Sequence, residues 1–356
     1  MVVFCLALER FPAIWYFDIS SFMNDRLEIK FRQAYQKILA AQNILIVTHF
    51  NPDGDGLSAV CAMIDLLESL DKKCFAFTAS EPPSVFNFLP RLEKIRHFTE
   101  RPKLSDGTIF DDNFFQRFDL AIILDCGNIS RTALTEIIKN KTANQYLIEI
   151  DHHPKVEDYS DLEIRDSSAA ATMELIYRFI KTNRLPINKN IANFILTGLV
   201  TDTANFLYPS TSELTISIAS EMLTLGARLP RIMENVLRNK SLSAMRLWGR
   251  VLASLKINRR YNIAIAALTN DEVNDDANKE EMDGISGFLS NLYGVKAVLF
   301  LREEVPGLIR GNLRTANADV DVSKIAELFG GGGHAKASGF TIAGRLEKTE
   351  KGWKVI

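Results

Sequence analysis

Three short, mainly apolar runs each end in acidic or histidine side chains, and these junctions constrain the fold more than any other feature of the chain. The runs and the polar groups that follow them are residues 44–47 with His49, Asp53 and Asp55, residues 120–124 with Asp125, and residues 146–150 with Asp151, His152 and His153. Runs this short and apolar are typical of parallel strands buried on both faces. Because functional sites in open α/β sheets form beyond the carboxyl ends of strands, we expect the three junctions to meet at one edge of a sheet.

The first junction predicts a strand, a loop and a helix in that order. Gly54 and Gly56 allow the backbone to turn sharply. Beyond them, apolar residues recur at helical spacing, at Leu57, Val60, Cys61, Ile64 and Leu67. An ordinary alternative stays open, since residues 51–56 (NPDGDG) also have the composition of a surface turn. This stretch alone does not decide between a turn and the edge of a metal site.

The rest of the chain divides into two regions. Up to residue 225, the pattern predicts helices at 24–42, 169–181, 191–200 and 212–225, a strand at 74–78 and a loop at 81–90. After a connector at 226–239, it predicts helices at 241–255, 282–292 and 322–329 and strands at 263–268, 295–301 and 308–313. Because 356 residues are long for one core, we expect two domains in an α/β protein. They are residues 23–226, with a mainly parallel sheet flanked by helices, and a smaller α+β domain at 241–356, with a linker at 227–240.

The composition excludes several classes of protein. Lysine plus arginine number 42 and aspartate plus glutamate 44, and a net charge of −2 argues against coating long duplex nucleic acid but allows a short anionic substrate. No apolar stretch approaches the roughly 20 residues that cross a bilayer, so no membrane partner is expected. Four scattered cysteines without a CxxC pair indicate reduced thiols in a cytoplasmic protein. Residues 1–22 are apolar and aromatic but lack a basic start, so we expect an N-terminal extension and no signal peptide.

A fourth polar motif, Thr201-Asp202-Thr203, follows the helix predicted at 191–200. Asp202 joins the acidic and histidine residues that follow the three predicted strands. The combined set contains carboxylates and imidazoles but no thiolate. Such mixed nitrogen and oxygen ligation favours two divalent transition ions, Mn2+ first and Co2+, Fe2+ or Zn2+ after it, over a calcium site with oxygen ligands alone. Two such ions can lower the pKa of a water and neutralise a phosphoryl group, so the set predicts phosphoester hydrolysis.

These motifs resemble those of a known superfamily. His49-x-x-x-Asp53-x-Asp55, Asp125 at the end of an apolar strand, Asp151-His152-His153-Pro154 and Thr201-Asp202-Thr203 are similar to the four ordered motifs of the DHH phosphoesterases. The segment at 330–339 (GGGGHAKASG) resembles the signature of the accompanying DHHA1 domain. The resemblance covers the chain from about residue 24 to its end. A chain of this length with nothing appended looks most like the branch of nanoRNases and pAp phosphatases.

The resemblance implies a ligand set for two ions. His49 and Asp53 would hold one, Asp55, His152 and Asp202 the other, with Asp125 bridging them as both ligand and catalytic residue. Asp151 would orient a histidine through its ring N–H, as carboxylates beside metal ligands commonly do. His153 would be the second catalytic residue, contacting the phosphate or protonating the leaving oxygen.

The resemblance also implies substrate contacts in the second domain, at Arg314, Gly331, Gly332, Gly333, His334 and Lys336. The glycine N–H groups would form a nest for an anion, and the arginine would suit a terminal phosphate or a stacked base. A dinucleotide fingerprint is excluded because a helical pattern precedes the glycines, and a P-loop because Ala335 stands where its second glycine belongs. The alternative is a flexible surface turn.

The chain departs from the family pattern beside the fourth motif. Branch members often have glycine after Thr-Asp-Thr and an arginine a few residues later, where this chain has Ala204 and Leu207. The expected metal ligand is untouched, but the substrate preference is left open. Cys126, next to the expected bridging ligand, is predicted to be a packing residue, because a two-metal mechanism needs no covalent nucleophile.

The expected function is therefore hydrolysis of short oligoribonucleotides to mononucleotides, of pAp to AMP, or of both. One alternative keeps the chemistry and changes the substrate to linear or cyclic dinucleotides such as pApA or cyclic di-AMP. A second is a RecJ-like single-strand exonuclease or a catalytically silent nucleotide-binding regulator; the complete ligand set argues against the silent form. The expected partner is a short single-stranded RNA or a nucleotide, and the oligomeric state, a homodimer included, stays open.

Overall fold

The computed structural model describes residues 25–237, 241–272, 282, 284–349 and 352–356. The expected N-terminal extension at 1–22 lies outside them. Within the described part of the chain, no helix combines the length and the apolar character needed to cross a bilayer.

The first half of the chain forms a parallel sheet with helices on its faces. Its elements are α1 (Asp25–Ala40), β1 (Asn43–Thr48), α2 (Gly54–Ser69), β2 (Lys73–Phe77), β3 (Ile95–Arg96), β4 (Phe98–Glu100), β5 (Lys103–Leu104), α3 (Asp112–Phe115), β6 (Leu120–Leu124), α4 (Thr135–Lys139), β7 (Tyr146–Asp151), β8 (Leu162–Arg165), α5 (Thr172–Thr182), α6 (Lys189–Asp202), α7 (Glu213–Thr224) and α8 (Leu229–Leu237). The sheet has the order β3-β2-β1-β6-β7-β8 and every neighbouring pair is parallel. The predicted α/β class is confirmed.

The apolar run of β1 is continuous because helices and loops cover both faces of the sheet. Ile44 and Ile46 pack into one core with α2 and α5, while Leu45 and Val47 pack on the opposite face with phenylalanines such as Phe77. Alternate residues of a strand point to opposite faces, so a strand covered on both sides needs apolar residues throughout. The order reverses between β1 and β6, which is where open sheets of this kind form a crevice for ligands.

The second half of the chain forms a smaller mixed sheet. Its elements are α9 (Leu242–Ala253), β9 (Lys256–Asn258), β10 (Ile263–Leu268), α10 (Ile285–Leu289), β11 (Ala297–Val305), β12 (Leu308–Arg314), α11 (Ser323–Leu328), β13 (Gly332–His334), β14 (Ala337–Ala343), β15 (Leu346–Thr349) and β16 (Gly352–Val355). The main sheet has the order β13-β14-β12-β11-β10-β9, in which β10 and β11 pair parallel and the other pairs are antiparallel. This agrees with the expected smaller α+β region.

Part of the predicted connector at 226–239 is helical. The structure places α8 at Leu229–Leu237, and Ile232 on this helix is buried against the core of the first sheet, with Met233 and Val236 packed beside it. Pro230 stands in the first turn, where a missing N–H costs nothing because that N–H has no partner within the helix. The proline therefore marks the start of a helix and not a break.

Candidate metal centre

The structure brings the predicted ligands together beyond the carboxyl ends of β1, β6 and β7. Among the described residues, three groups offer ligand atoms that all lie within 4.8 Å of one another: His49, Asp53 and Asp125; Asp55, His152 and Asp202; and Asp125, His152 and His153. The first two groups coincide with the two ligand sets that the resemblance implies. Their role as ligands stays a prediction.

Asp125 stands between the two sets. Its Oδ2 lies 3.8 Å from Nε2 of His49, and its Oδ1 lies 3.7 Å from Nε2 of His152. The backbone of Asp125 has a φ of 57°, in the left-handed region that few residues other than glycine adopt. Such strain persists where the surrounding structure enforces it, often at functional sites. One carboxylate thus faces a histidine of each set.

The start of α2 holds the other two aspartates of the first junction. Asp53 caps this helix, accepting hydrogen bonds from the N–H groups of Asp55 and Gly56, each at 3.1 Å. Asp55 accepts hydrogen bonds from the N–H groups of Thr172 at 2.6 Å and Met173 at 3.0 Å, at the start of α5. Helix N-termini favour negative charge, so α2 and α5 both stabilise the carboxylates that lie there.

Two glycines let α2 and α6 pack closely beside these aspartates. A methyl group at Gly54 would lie 2.4 Å from Cγ2 of Thr201, and one at Gly198 would lie 2.4 Å from both Oδ1 of Asp55 and Cγ of Met173. These separations are far below van der Waals contact, so larger residues would separate the helices. The close approach brings Asp202, at the end of α6, near Asp55.

The two predicted histidine ligands are oriented by backbone carbonyls. Nδ1 of His49 lies 2.9 Å from the Phe50 carbonyl oxygen, and Nδ1 of His152 lies 3.3 Å from that of Ala169. If each Nδ1–H donates to its carbonyl, the lone pair of Nε2 faces the acidic cluster. Nε2 of His49 is buried and has no hydrogen-bond partner among the described residues. A buried nitrogen with a free lone pair is suited to bind a cation.

The charges of the cluster also fit a bound cation. Desolvation and the carboxylates of Asp202 and Asp53 raise the pKa of Asp55 well above its ordinary value. The pKa of Asp125 is raised in the same way, by desolvation and by Asp55. Desolvation raises the pKa of Asp202 to about 6, against the opposing charge of His152. Crowded carboxylates repel one another, and divalent ions among them would relieve the repulsion.

Asp151 and His153 form a pair beside the cluster. Asp151 Oδ1 lies 2.8 Å from Nδ1 of His153 and accepts the backbone N–H of the same residue at 2.8 Å. Nη1 of Arg131 lies 3.5 Å from the other ring nitrogen of His153 and donates to the Cys126 carbonyl at 3.1 Å. Because a guanidinium can only donate, His153 Nε2 accepts and its Nδ1 carries the hydrogen toward Asp151. No sequence motif marks Arg131.

A buried ion pair lies next to Asp151 and His153, and no sequence motif indicates it. Arg165, at the end of β8, donates to the His153 carbonyl at 2.6 Å, lies 3.7 Å from Asp151 Oδ1 and pairs with Glu149. Tyr159 donates its hydroxyl to Glu149 at 2.7 Å. A glutamate inside the apolar run at 146–150 was the available signal, since a charge in a buried strand needs a partner. The network supports Asp151 and His153 from behind.

The second sheet brings His334 to the same place. The ring centroid of His334 lies 4.7 Å from that of His153 and 6.1 Å from that of His152. Desolvation and the neighbouring imidazoles lower the pKa of His334 to about 4. In the sheet, Ala337 pairs with His334 on one side and with Arg314 on the other, so the three side chains lie on one face. One predicted substrate contact, His334, therefore lies against the candidate metal centre, and Arg314 shares its face of the sheet.

The glycine run differs from the predicted anion nest. The N–H groups of Gly330 and Gly331 donate to the carbonyls of Glu327 and Ala326, which ends α11, and Gly330 has a φ of 71°. Gly332 and Gly333 belong to β13, which pairs with β14. The segment thus ends α11 and begins an edge strand. The N–H of Gly331 is hydrogen-bonded within the chain and is not free for an anion.

Lys336, a predicted substrate contact, is hydrogen-bonded within the chain. Its ammonium group donates to the carbonyl oxygens of Asn317, Ala318 and Val320, at 2.6, 2.8 and 3.0 Å. An ammonium group has three N–H donors, and all three are used here. Lys336 therefore stabilises the turn before α11, and its contact with a substrate stays a prediction.

The departures beside the fourth motif have structural counterparts. Ala204 adopts a φ of 48°, followed by Asn205 at 61° and Phe206 at 64°, so this chain uses an alanine where a glycine would be unstrained. The side chain of Leu207 is 72% exposed. Cys126 is fully buried, and burial raises the pKa of its thiol well above the ordinary value. It is therefore unreactive, in agreement with a packing role.

Comparison with known proteins supports the motifs. A family model described as "DHH family, N-terminal domain" matches residues 43–199, and one described as "DHHA1 domain" matches residues 260–355. The bifunctional oligoribonuclease and PAP phosphatase NrnA of Thermus thermophilus is 28% identical over 301 residues, which cover 85% of this chain and 84% of that protein. The protein of the same name from Bacillus subtilis is 25% identical over 304 residues, which cover 84% and 89%.

Solved structures agree in fold. A crystal structure of an exopolyphosphatase-related protein from Bacteroides fragilis superposes with a TM-score of 0.79 at 29% identity, covering 88% of this chain and 91% of that one. RecJ of Thermus thermophilus in complex with Mn2+ has a TM-score of 0.51 at 13% identity, covering 89% of this chain and 52% of RecJ.

Proposed function

Because this chain belongs to the DHH phosphoesterases, with a DHH domain followed by a DHHA1 domain, we propose that it is a metal-dependent hydrolase of short oligoribonucleotides and of pAp. The observation that carries this proposal is the placement of Asp125 between two complete sets of nitrogen and oxygen ligands. A binding protein without hydrolytic activity has no need of both sets. We propose the domain limits that the sequence predicts, residues 23–226 for the DHH domain and residues 241–356 for the DHHA1 domain.

The proposed ligands are His49 and Asp53 for one ion and Asp55, His152 and Asp202 for the other, with Asp125 common to both. Mixed nitrogen and oxygen donors without a thiolate favour Mn2+ among the divalent ions. When bound, the two ions supply Lewis acidity and neutralise charge on the phosphoryl group.

His153 acts on the substrate as a hydrogen-bonding and proton-holding group. Asp151 fixes its ring and accepts from Nδ1, so Nε2 is the nitrogen that would exchange its contact with Arg131 for one with the phosphate, or carry a proton to the leaving oxygen. Arg131, 3.5 Å from that nitrogen, adds a fixed positive charge beside it. The Arg165 contact to the His153 carbonyl holds the backbone in place. Together these residues orient the imidazole before substrate arrives.

The DHHA1 domain limits the length of the substrate. His334 lies against His153, and Arg314 stands two strands away on the same face of the sheet. Nε of Arg314 is buried and has no hydrogen-bond partner within the described residues, so it can still donate to a ligand. A guanidinium on the face of the sheet that carries His334 suits a terminal phosphate or a base of a short substrate. The net charge of −2 agrees with a short substrate, because a long-chain nuclease needs an extended basic track.

The proposed location is the cytoplasm. Cys61, Cys74 and Cys126 are free thiols, as is usual for proteins of a reducing compartment.

The experiment compares Mn2+-dependent turnover of substrates that separate the alternatives. We expect rapid hydrolysis of 5′-labelled diribonucleotides and pAp, with rates that fall steeply as RNA lengthens beyond a few nucleotides, because the second domain closes one end of the cleft. The panel includes a long RNA, a long single-stranded DNA, pApA and cyclic di-AMP, and samples with EDTA give the background. Faster turnover of cyclic di-AMP or pApA would move the preference to dinucleotides, and degradation of the long DNA would favour an exonuclease. No turnover of any substrate would contradict the enzymatic function.

A further inference from the structure

A second cavity lies in the first domain, away from the candidate metal centre. It has a volume of about 230 Å³ and lies between the beginning of α6, the beginning of α8 and the loop that contains Phe88. Lys189 is the first residue of α6, whose 14 residues end at Asp202. A helix of that length is about 20 Å long, so the cavity and the metal ligands lie at opposite ends of α6.

Three cationic side chains line this cavity and no acidic residue does. They are Lys189, Arg228 and Arg231. Within the described part of the chain none of the three has an ion pair, and the first turn of α6 contributes no acidic residue. The three residues are exposed, and like charges on one concave surface create a positive potential there. The molecule tolerates this arrangement without an internal counter-ion.

Asp65 is the carboxylate that is hydrogen-bonded to the cavity wall, and it already has a cationic partner. Asp65 accepts from Asn190, a residue of the cavity wall, at 3.4 Å. It also pairs with Arg91 at 3.1 Å and accepts from Asn188 at 2.6 Å, and its side chain is only 5% exposed. Its negative charge is therefore balanced by Arg91 and does not neutralise the cavity.

The cationic residues are held by a rigid frame. The Asn193 side chain accepts the backbone N–H of Arg228 at 2.9 Å and donates to the Lys189 carbonyl at 2.6 Å, so one amide joins α6 to the start of α8. Arg228 immediately precedes α8, and its carbonyl oxygen accepts the backbone N–H groups of Arg231 at 3.0 Å and Ile232 at 3.1 Å, so both arginines stand at the beginning of this helix. Ile232, next to Arg231, is 1% exposed and anchors α8 to the core. Fixed backbones reduce the entropy lost when an anion binds.

We propose that this cavity binds a phosphorylated small molecule with two or more negative charges on adjacent phosphates. Two guanidinium groups can each make paired hydrogen bonds to phosphate oxygens, and the lysine adds a point charge. The volume is below the roughly 300–1,000 Å³ of pockets that enclose whole organic ligands. The cavity therefore encloses the phosphates, and any attached nucleoside lies at the rim, against Phe88. The ligand does not compete with substrate at the metal centre.

The test is calorimetric titration of the full-length Asp125→Ala variant. The protein is treated with EDTA so that the metal centre cannot hold phosphate through an ion. The probes are pyrophosphate, ATP and adenosine. We expect pyrophosphate and ATP to bind and adenosine not to bind. Tighter binding of ATP than of pyrophosphate would indicate a contribution from Phe88, and equal binding would indicate recognition of the phosphates alone; both outcomes support the proposal.

Removing the arginines tests the location. Arg228→Ala/Arg231→Ala should weaken binding by about 10- to 100-fold, because two charge-assisted pairs are lost. The matched control is Arg32→Ala/Arg117→Ala, which removes the same charge from exposed positions elsewhere. The control should change affinity less than about two-fold, as expected for screened surface charges. Equal weakening in both variants, unchanged affinity in the cavity variant, or no binding of either phosphate probe would overturn the proposal.

Discussion

Replacing Asp125 by alanine should lower the turnover of diribonucleotides at least about a thousand-fold, which corresponds to on the order of 4 kcal/mol of transition-state stabilisation. The reason is geometric. The two oxygens of Asp125 face His49 and His152, one in each ligand set, so a single substitution removes a ligand from both ions. Steady-state kinetics at saturating Mn2+ measure the effect.

The loss should come from the site and not from unfolding. In the metal-free protein, desolvation and neighbouring carboxylates raise the pKa of Asp125, so the charged group is not a source of folding stability there. The melting temperature in EDTA should therefore change little in Asp125→Ala. Asp158→Ala, at a side chain that is 87% exposed, is the control and should keep full activity. A folded Asp125→Ala protein with near-normal turnover would remove Asp125 from the proposed centre.

A pair of glycine substitutions should have opposite effects on stability. In the interior of a helix, alanine is normally more stable than glycine by about 1 kcal/mol. A methyl group at Gly249 on α9 would extend into open space, so Gly249→Ala should raise the free energy of unfolding by up to about this amount. A methyl group at Gly198 on α6 would lie 2.4 Å from Oδ1 of Asp55 and from Cγ of Met173. Gly198→Ala should therefore lower the free energy of unfolding by about 1–3 kcal/mol, as overpacking does.

The carboxylate of Asp55 has no easy way to move aside. It is held by the N–H groups of Thr172 and Met173 at 2.6 and 3.0 Å, so relief of the clash would displace a proposed ligand. Gly198→Ala should then also lower turnover and weaken Mn2+ binding, whereas Gly249→Ala should leave both unchanged. Urea unfolding and activity assays of the two variants measure these effects. Equal stabilisation by both substitutions would mean that α2 and α6 are not packed as described.

The sheet strands were predictable because their environment imposes a simple pattern. Strands covered on both faces must be apolar throughout, and the runs at 120–124 and 263–268 coincide with β6 and β10. Strands at the edge of a sheet have a weaker sequence pattern. The strand β13 consists of two glycines and a histidine, and its position depends on pairing with β14. The helix α8 was missed because Pro230 resembles a break.

The meeting of the acidic and histidine groups was predictable from one rule, that the carboxyl ends of parallel strands share an edge. Contacts between distant segments were not. No local pattern places Arg165 under His153 or directs the ammonium group of Lys336 to three carbonyl oxygens. The close approach of His334 to His153 depends on how the two sheets pack together. Such contacts are set by tertiary packing, which residue spacing does not encode.

Counting the Mn2+ ions bound per chain is the most direct test of a two-metal centre. Metal-free wild-type protein is titrated with Mn2+ while electron paramagnetic resonance records the free ion and any coupling between bound ions. We expect two ions per chain and a coupled spectrum, because the two ligand sets share Asp125 and paired ions of this kind lie roughly 3.5–4 Å apart. Binding of a single uncoupled ion, or of none, would contradict the proposed centre.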